Sequence, residues 1–302
     1  MKANKMVYTI GEGQIMKNHY DAPYIEKEFP ERIITWPIAE DSGINFALGA
    51  SLLGVHPIYD IITADFSMRA FDSIANTCAT TNYILGEEAN PILIRAEFLL
   101  FAPSTGQRTE ALFSHIPNLN VVIPSNPIDA YYLTHDALSR RQVTMLLEDR
   151  MIKDSGIKEF DKLENIANAE PATIGEGWIR KPGDKLTIVS YALCLQRTEE
   201  ILDRHPEWDV ELIDLRTIKP YDKKLILNSV SRTKKLLVVE PDIVGFGVGA
   251  EIVAMVAENI DGVKVKRIGE PMRTIPASQE LHDFMIPNEQ RIVVAIKEML
   301  VK

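Results

Sequence analysis

Basic residues are the minority charge in this 302-residue sequence: 33 Lys and Arg stand against 43 Asp and Glu, a net charge of −10. A nucleic-acid binder rests its affinity on a basic face against phosphates, and no basic stripe runs through the chain, so nucleic acid is excluded as a partner. Cysteine is equally scarce. Cys78 and Cys194 are the two present, in different halves, which argues against a disulfide framework or a zinc site and leads us to expect a reducing cytoplasm. His19, His56, His135, His205 and His282 show no metal-ligand spacing, so no metal is assigned to this chain. No apolar run approaches the roughly 18 residues of a membrane span, and the opening MKANKMVYTIGEG lacks the apolar core of a signal peptide. The expectation is a soluble, intracellular protein with no membrane partner.

What remains is an ordinary globular composition, 46% hydrophobic and 25% charged, long enough for two cores of typical domain size. Short apolar runs at Val7 to Ile10, Pro57 to Ile62, Pro91 to Arg95, Val121 to Ile123 and Val143 to Leu147 read as buried strands. Helical stretches lie between them, among them Pro127 to Ser139 behind an Asn126 cap. After a polar, irregular stretch from Met151 to Gly177, a second series follows at Leu186 to Tyr191, Val210 to Asp214, Leu236 to Val239 and Val263 to Ile268. Alternation of this kind predicts an α/β fold of two doubly wound domains, each with a mainly parallel sheet covered by helices. The boundary is placed near residue 170, giving domains 1–170 and 171–302.

One carboxylate stands out. In Trp36-Pro37-Ile38-Ala39-Glu40-Asp41-Ser42-Gly43, Glu40 opens a helix rich in small residues (Gly43, Ala47, Gly49, Ala50, Ser51, Gly54) in otherwise apolar surroundings. A carboxylate taken out of water needs a hydrogen-bonding partner, and a ligand can be that partner. A short strand at His56 to Ile62 follows, and then Ala64-Asp65-Phe66-Ser67 opens a second helix.

The order of these elements resembles the pyrimidine-binding domain of thiamine-diphosphate enzymes, and most closely the β subunit of the decarboxylase component of 2-oxo acid dehydrogenases; transketolases are more distant relatives. Further matches are Gly11-Glu12, Tyr83 with Gly86, Ile94-Arg95, Glu110 to Pro117 (EALFSHIP), Leu186 to Tyr191, Val210 to Pro220 (VELIDLRTIKP), Gly245 to Ile252 (GFGVGAEI) and Ile275-Pro276. The resemblance thus covers nearly the whole chain. It implies a pyrimidine-binding domain followed by a transketolase C-terminal-like domain.

The resemblance also implies roles. Glu40 matches the acid that bonds the pyrimidine ring nitrogen and so favours the cofactor tautomer that removes the proton from the reacting carbon. Phe66 matches the aromatic that stacks on the aminopyrimidine. Glu12 matches an acidic residue in a network of carboxylates and waters near the cofactor, at the carboxyl end of the first strand, where ligand crevices form. Glu40 and Glu12 are therefore the candidate catalytic residues, and with Phe66 the candidate cofactor-binding ones. Gly245-Phe246-Gly247-Val248-Gly249 has G-x-G-x-G spacing with no ribose-binding acid, so it reads as a close-packed turn.

Three departures from the family pattern shape the functional expectation. The Gly-Asp-Gly…Asn segment that holds Mg²⁺ and the diphosphate is missing, since Gly183-Asp184 continues as Lys185-Leu186. An α-like partner subunit is then expected to carry the diphosphate and Mg²⁺, with thiamine diphosphate between the chains of an α2β2 assembly. The family also usually carries a helix before the first strand, which this sequence reaches by Val7; that helix is either supplied by a partner or dispensed with. The third departure is in the acceptor loop, where the family's His-Ser-Gln ending becomes Thr105-Gly106-Gln107 behind the apolar run Phe98 to Phe101, a run that leads us to expect a reshaped, drier acceptor site. Threonine does not carry a proton at neutral pH as imidazole does.

The resulting expectation is a thiamine-diphosphate-dependent 2-oxo acid decarboxylase subunit, active with its partner and passing its acyl unit to a lipoyl acyltransferase. The alternatives are half of a split transketolase- or acyloin-synthase-like enzyme that passes the unit to an aldehyde or sugar, and a noncatalytic scaffold. Which 2-oxo acid is used is not written in the residues.

Overall fold

The computed structural model describes residues 1–2, 4–12, 22–85, 91–98, 106–150, 152 and 171–301. Its strands are β1 (Val7–Glu12), β2 (Ile33–Trp36), β3 (His56–Thr63), β4 (Ile92–Phe98), β5 (Leu119–Val122), β6 (Val143–Asp149), β7 (Trp178–Lys181), β8 (Leu186–Ser190), β9 (Val210–Asp214), β10 (Thr217–Lys219), β11 (Lys235–Ile243) and β12 (Lys264–Glu270). They form a seven-stranded sheet of order β10-β5-β6-β4-β3-β1-β2 and a five-stranded sheet of order β12-β11-β8-β9-β7. All pairings are parallel except at one edge of each sheet, β10 on β5 and β7 on β9. The expected α/β architecture of two mainly parallel, helix-covered sheets is what the chain adopts.

Local chemistry explains why the elements fall where they do. The central strands are buried on both faces because helices cover both, as β8 (LTIVS) and β9 (VELID), buried at every position, illustrate. The helix Pro127–Ser139 starts where expected: the Asn126 side chain accepts from the Asp129 amide at 2.9 Å, and Pro127 occupies a first-turn position that needs no amide. Asp222 and Asn288 cap the helices Lys223–Thr233 and Glu289–Leu300 in the same way.

The sheets do not divide the sequence in two. β10, from the second half, forms the edge of the first sheet, with Thr217 opposite Val122. The largest apolar core likewise runs from Ile10, Ile44 and Tyr59 through Phe113 and Val121 to Tyr191, Ile213 and Val238. The boundary expected near residue 170 lies outside the described residues.

The strand order sets the position of the site. From β1 the chain moves to β2 on one side and then returns to β3 on the other. A reversal of this kind opens a crevice at the carboxyl end of the strand where it occurs, here β1, whose last residue is Glu12.

Candidate active site

Glu40 is the first residue of the helix Glu40–Leu52, and only 5% of it is exposed. Ala39 precedes it without a side-chain cap, so the first turn offers unpaired amides beside the carboxylate. The helix packs tightly because position 43 is glycine, which leaves room for the Tyr59 ring from β3. The Asp41 side chain accepts from the Ser73 hydroxyl, and Asn45 donates to the same hydroxyl at 2.6 Å, which ties the helix to the segment Ser73–Cys78.

Phe66 lies in a short 3-10 helix, Ala64–Ala70, that leaves the carboxyl end of β3. It is half-buried against the core. Glu40 and Phe66 both line a cleft of about 800 Å³ whose other walls are Ile38, Ala39, Asp41, Ser42 and Arg69. The structure therefore brings together the acid and the aromatic that the sequence singled out. Arg69, one 3-10 turn beyond Phe66, places its Nε 3.9 Å from Glu40 Oε2.

Glu12 stands behind this cleft, 1% exposed, and neither of its oxygens finds a hydrogen-bond donor among the described residues. Burial, with the charges of Glu40 and Asp60 added, pushes its carboxyl up to about 7. The Tyr59 hydroxyl is orphaned in the same way, and burial together with the Glu12, Glu40 and Asp60 charges raises its phenol. A knot of acids next to a cleft with an aromatic wall is suited to holding and exchanging protons. Such a knot, with orphaned polar atoms behind a flat aromatic wall, also fits the pyrimidine half of a cofactor that brings its own ring nitrogens.

The other expected residues lie as follows. Gln107 is exposed, and its backbone amide donates to Asp65 Oδ1 at 3.0 Å, so the loop joins the turn that carries Phe66. Burial raises the Asp65 carboxyl, and that amide opposes the rise. Thr105 lies outside the described residues, as do positions 99–101 of the apolar run. Phe98 requires a correction. It ends strand β4 fully buried, under the Arg108 guanidinium at 3.6 Å from the ring centroid, so it builds the core and does not line an acceptor site.

Sequence reasoning missed Tyr59, Asp60, Arg69 and Arg108. Arg69 had a legible signal, because positions i and i+3 eclipse in a 3-10 helix and Arg69 follows Phe66 by three. Arg108 had none. It pairs with Glu110 at 2.7 Å and Asp149 at 3.4 Å, and Tyr191 from the second half donates to Glu110 at 3.3 Å. Burial pushes nearby Glu240 and Glu270 up to about 7 and raises Asp242 well above its ordinary range, with the Glu110 charge adding to each. The Gly245 to Gly249 turn serves this seam. A Cβ at Gly247 would lie 2.8 Å from Glu240 Oε2, and the Gly249 amide donates to the same oxygen at 2.7 Å. A second cavity, about 500 Å³ and mostly apolar, lies against Ile58, Leu93, Leu146 and Tyr131 and contains none of the expected site residues.

Fold and cleft together define a two-sheet α/β protein of transketolase-like architecture. The Transketolase, C-terminal domain family matches residues 175–292. A solved structure described as "Split gene transketolase, inactive beta4 tetramer" superposes with a TM-score of 0.82 at 21% identity, covering 99% of this chain and 93% of that one. Among curated relatives, the pyruvate dehydrogenase E1 component subunit beta of Rickettsia felis is 31% identical over 91% of this chain and 85% of its own length. The 2-oxoisovalerate dehydrogenase subunit beta of Bacillus subtilis is 26% identical over 99% and 94%. The chain belongs to the family of E1 β subunits of 2-oxo acid dehydrogenases.

Proposed function

We propose that this chain is the β subunit of a thiamine-diphosphate-dependent 2-oxo acid dehydrogenase and that it forms the pyrimidine half of a cofactor site completed by an α-like subunit. The observation that carries the reading is Glu40, buried at a helix start on the wall of a cleft it shares with Phe66, in a chain whose relatives are E1 β subunits. When bound, thiamine diphosphate supplies the carbon nucleophile and the electron sink for the loss of CO₂ from a 2-oxo acid. Glu40 holds a proton at the pyrimidine ring nitrogen, and the low-dielectric wall of Phe66 strengthens that hydrogen bond. Glu12, its carboxyl pushed up to about 7 by burial, can take up or release a proton near neutral pH.

The diphosphate and Mg²⁺ fall to the partner, because the Gly-Asp-Gly…Asn segment is not in this sequence. An α2β2 assembly in the cytoplasm follows, and two buried unpaired thiols, Cys78 and Cys194, suit that compartment. A scaffold role does not account for a desolvated acid beside an aromatic. For the acceptor, a lipoyl acyltransferase is the family's route. Thr105 in place of the family's histidine favours a second reading, transfer to an aldehyde or sugar.

Calorimetry tests the split site. The isolated chain should bind thiamine diphosphate and Mg²⁺ negligibly, and the chain coexpressed with its α-like partner should bind both. Micromolar affinity in the isolated chain would refute the division of the site between two subunits.

A further inference from the structure

We propose that Arg69 recognises the carboxylate of the incoming 2-oxo acid and is a specificity-determining residue of the cleft, an inference that rests on the reading of the cleft given above. Among the described residues that line the cleft, Arg69 is the single cation, facing the acids Glu40 and Asp41 and the apolar Ile38, Ala39 and Phe66. A 2-oxo acid is an anion, and an anion entering a cleft with two carboxylates is repelled unless a cation meets it. The Asp41 carboxylate is already engaged by the Ser73 hydroxyl. Ile38 and Ala39 suit the acyl part of the same molecule, beside the wall that Phe66 gives the pyrimidine.

Arg69 is placed to exchange partners. Its backbone is anchored in the helix Ala64–Ala70, whose last residue is fully buried, while its side chain is 77% exposed. The 3.9 Å between Arg69 Nε and Glu40 Oε2 is too long for a hydrogen bond, and an exposed ion pair of that kind holds weakly. A pyrimidine nitrogen that shares a proton with Glu40 competes directly for that carboxylate. The guanidinium stays charged at any working pH, so once it gives up Glu40 it is free to take another anion. Its planar fork matches a carboxylate with two parallel hydrogen bonds.

The test compares the unmodified complex with Arg69→Gln and Arg69→Lys, each assembled with the α-like partner. The substrate is pyruvate or 2-oxoisovalerate, whichever the unmodified complex turns over. Oxamate, an unreactive isostere of pyruvate, serves as the binding probe in calorimetry. Arg69→Gln should raise KM and weaken oxamate binding by at least about tenfold each, with a smaller fall in kcat, and Arg69→Lys should recover part of both. Unchanged KM and oxamate affinity would overturn the proposal. So would a loss of assembly in sedimentation, which would make Arg69 a docking residue, or a change in cofactor affinity alone, which would make it a modulator of Glu40. If the unmodified complex binds no thiamine diphosphate, the reading of the cleft fails and this inference falls with it.

Discussion

Tyr59 lies so close to Gly43 that a Cβ on that glycine would sit 2.1 Å from the phenol oxygen and 2.3 Å from two ring carbons. The contact seats the first turn of the helix Glu40–Leu52 directly on strand β3. Glu40 is held three residues before the contact, so its position depends on the absence of a single methyl group.

Gly43→Ala should therefore act on both stability and the site. Overpacking a filled core costs about 1–3 kcal/mol, and the gain in helix propensity returns at most about 1 kcal/mol. The expected outcome is a lower urea midpoint for the chain and weaker cofactor binding in the complex. An unchanged midpoint would show that the Tyr59 ring turns aside at no cost.

Glu40→Gln keeps the size of the side chain and most of its hydrogen bonding but cannot share a proton with a ring nitrogen. Turnover by the reconstituted complex should fall at least about a hundredfold while circular dichroism shows the fold intact. Near-normal turnover would make Glu40 a structural helix-start residue.

The acids around Arg108 make stability depend on pH. Glu240 and Glu270 are pushed up to about 7 in the folded chain, against roughly 4.3 in an unfolded one. Between those values the folded state binds more protons than the unfolded state, so their contribution is complete below about pH 4.3 and is lost as pH rises through about 7. Urea midpoints of the unmodified chain should fall relative to those of Glu240→Gln between about pH 5 and 8. A constant difference over that range would mean that Glu240 keeps one protonation state throughout.

Thr105→His addresses the acceptor. Loss of CO₂ is driven by the cofactor and should proceed in the unmodified complex, whereas acylation of a free lipoyl domain should be slow. Histidine at position 105 should raise lipoyl acylation relative to 2-oxo acid consumption measured with an artificial electron acceptor. Efficient acylation by the unmodified complex would remove the argument from Thr105 and leave the transfer step to another residue.

What the sequence disclosed and what it hid divide along the range of the interaction. Helix Pro127–Ser139 was legible because its cap, Asn126 with Asp129, is written within four residues. That Glu40 and Phe66 share a cleft was legible through the family resemblance, whose short motifs place each of them just after a strand. Strands β2, β7 and β10 were not, being three or four residues long and formed by pairing with distant partners. Tyr59 and Asp60 look like ordinary members of a buried strand until the register places them beside β1, with Ile10 opposite Tyr59. Phe98 was misread because an apolar run looks the same whether it lines a cavity or ends a strand.

Strand β10 carries a last consequence. Thr217–Lys219 closes the open side of β5, so a gene cut near residue 170 would produce an N-terminal fragment that presents the bare amides and carbonyls of Leu119–Val122 to any other chain. The first half's sheet is completed by a strand from the second, so the two halves cannot be traded as independent modules. A shuffled or truncated version would tend to aggregate at that edge unless the borrowed strand travelled with the piece that lends its pairing surface.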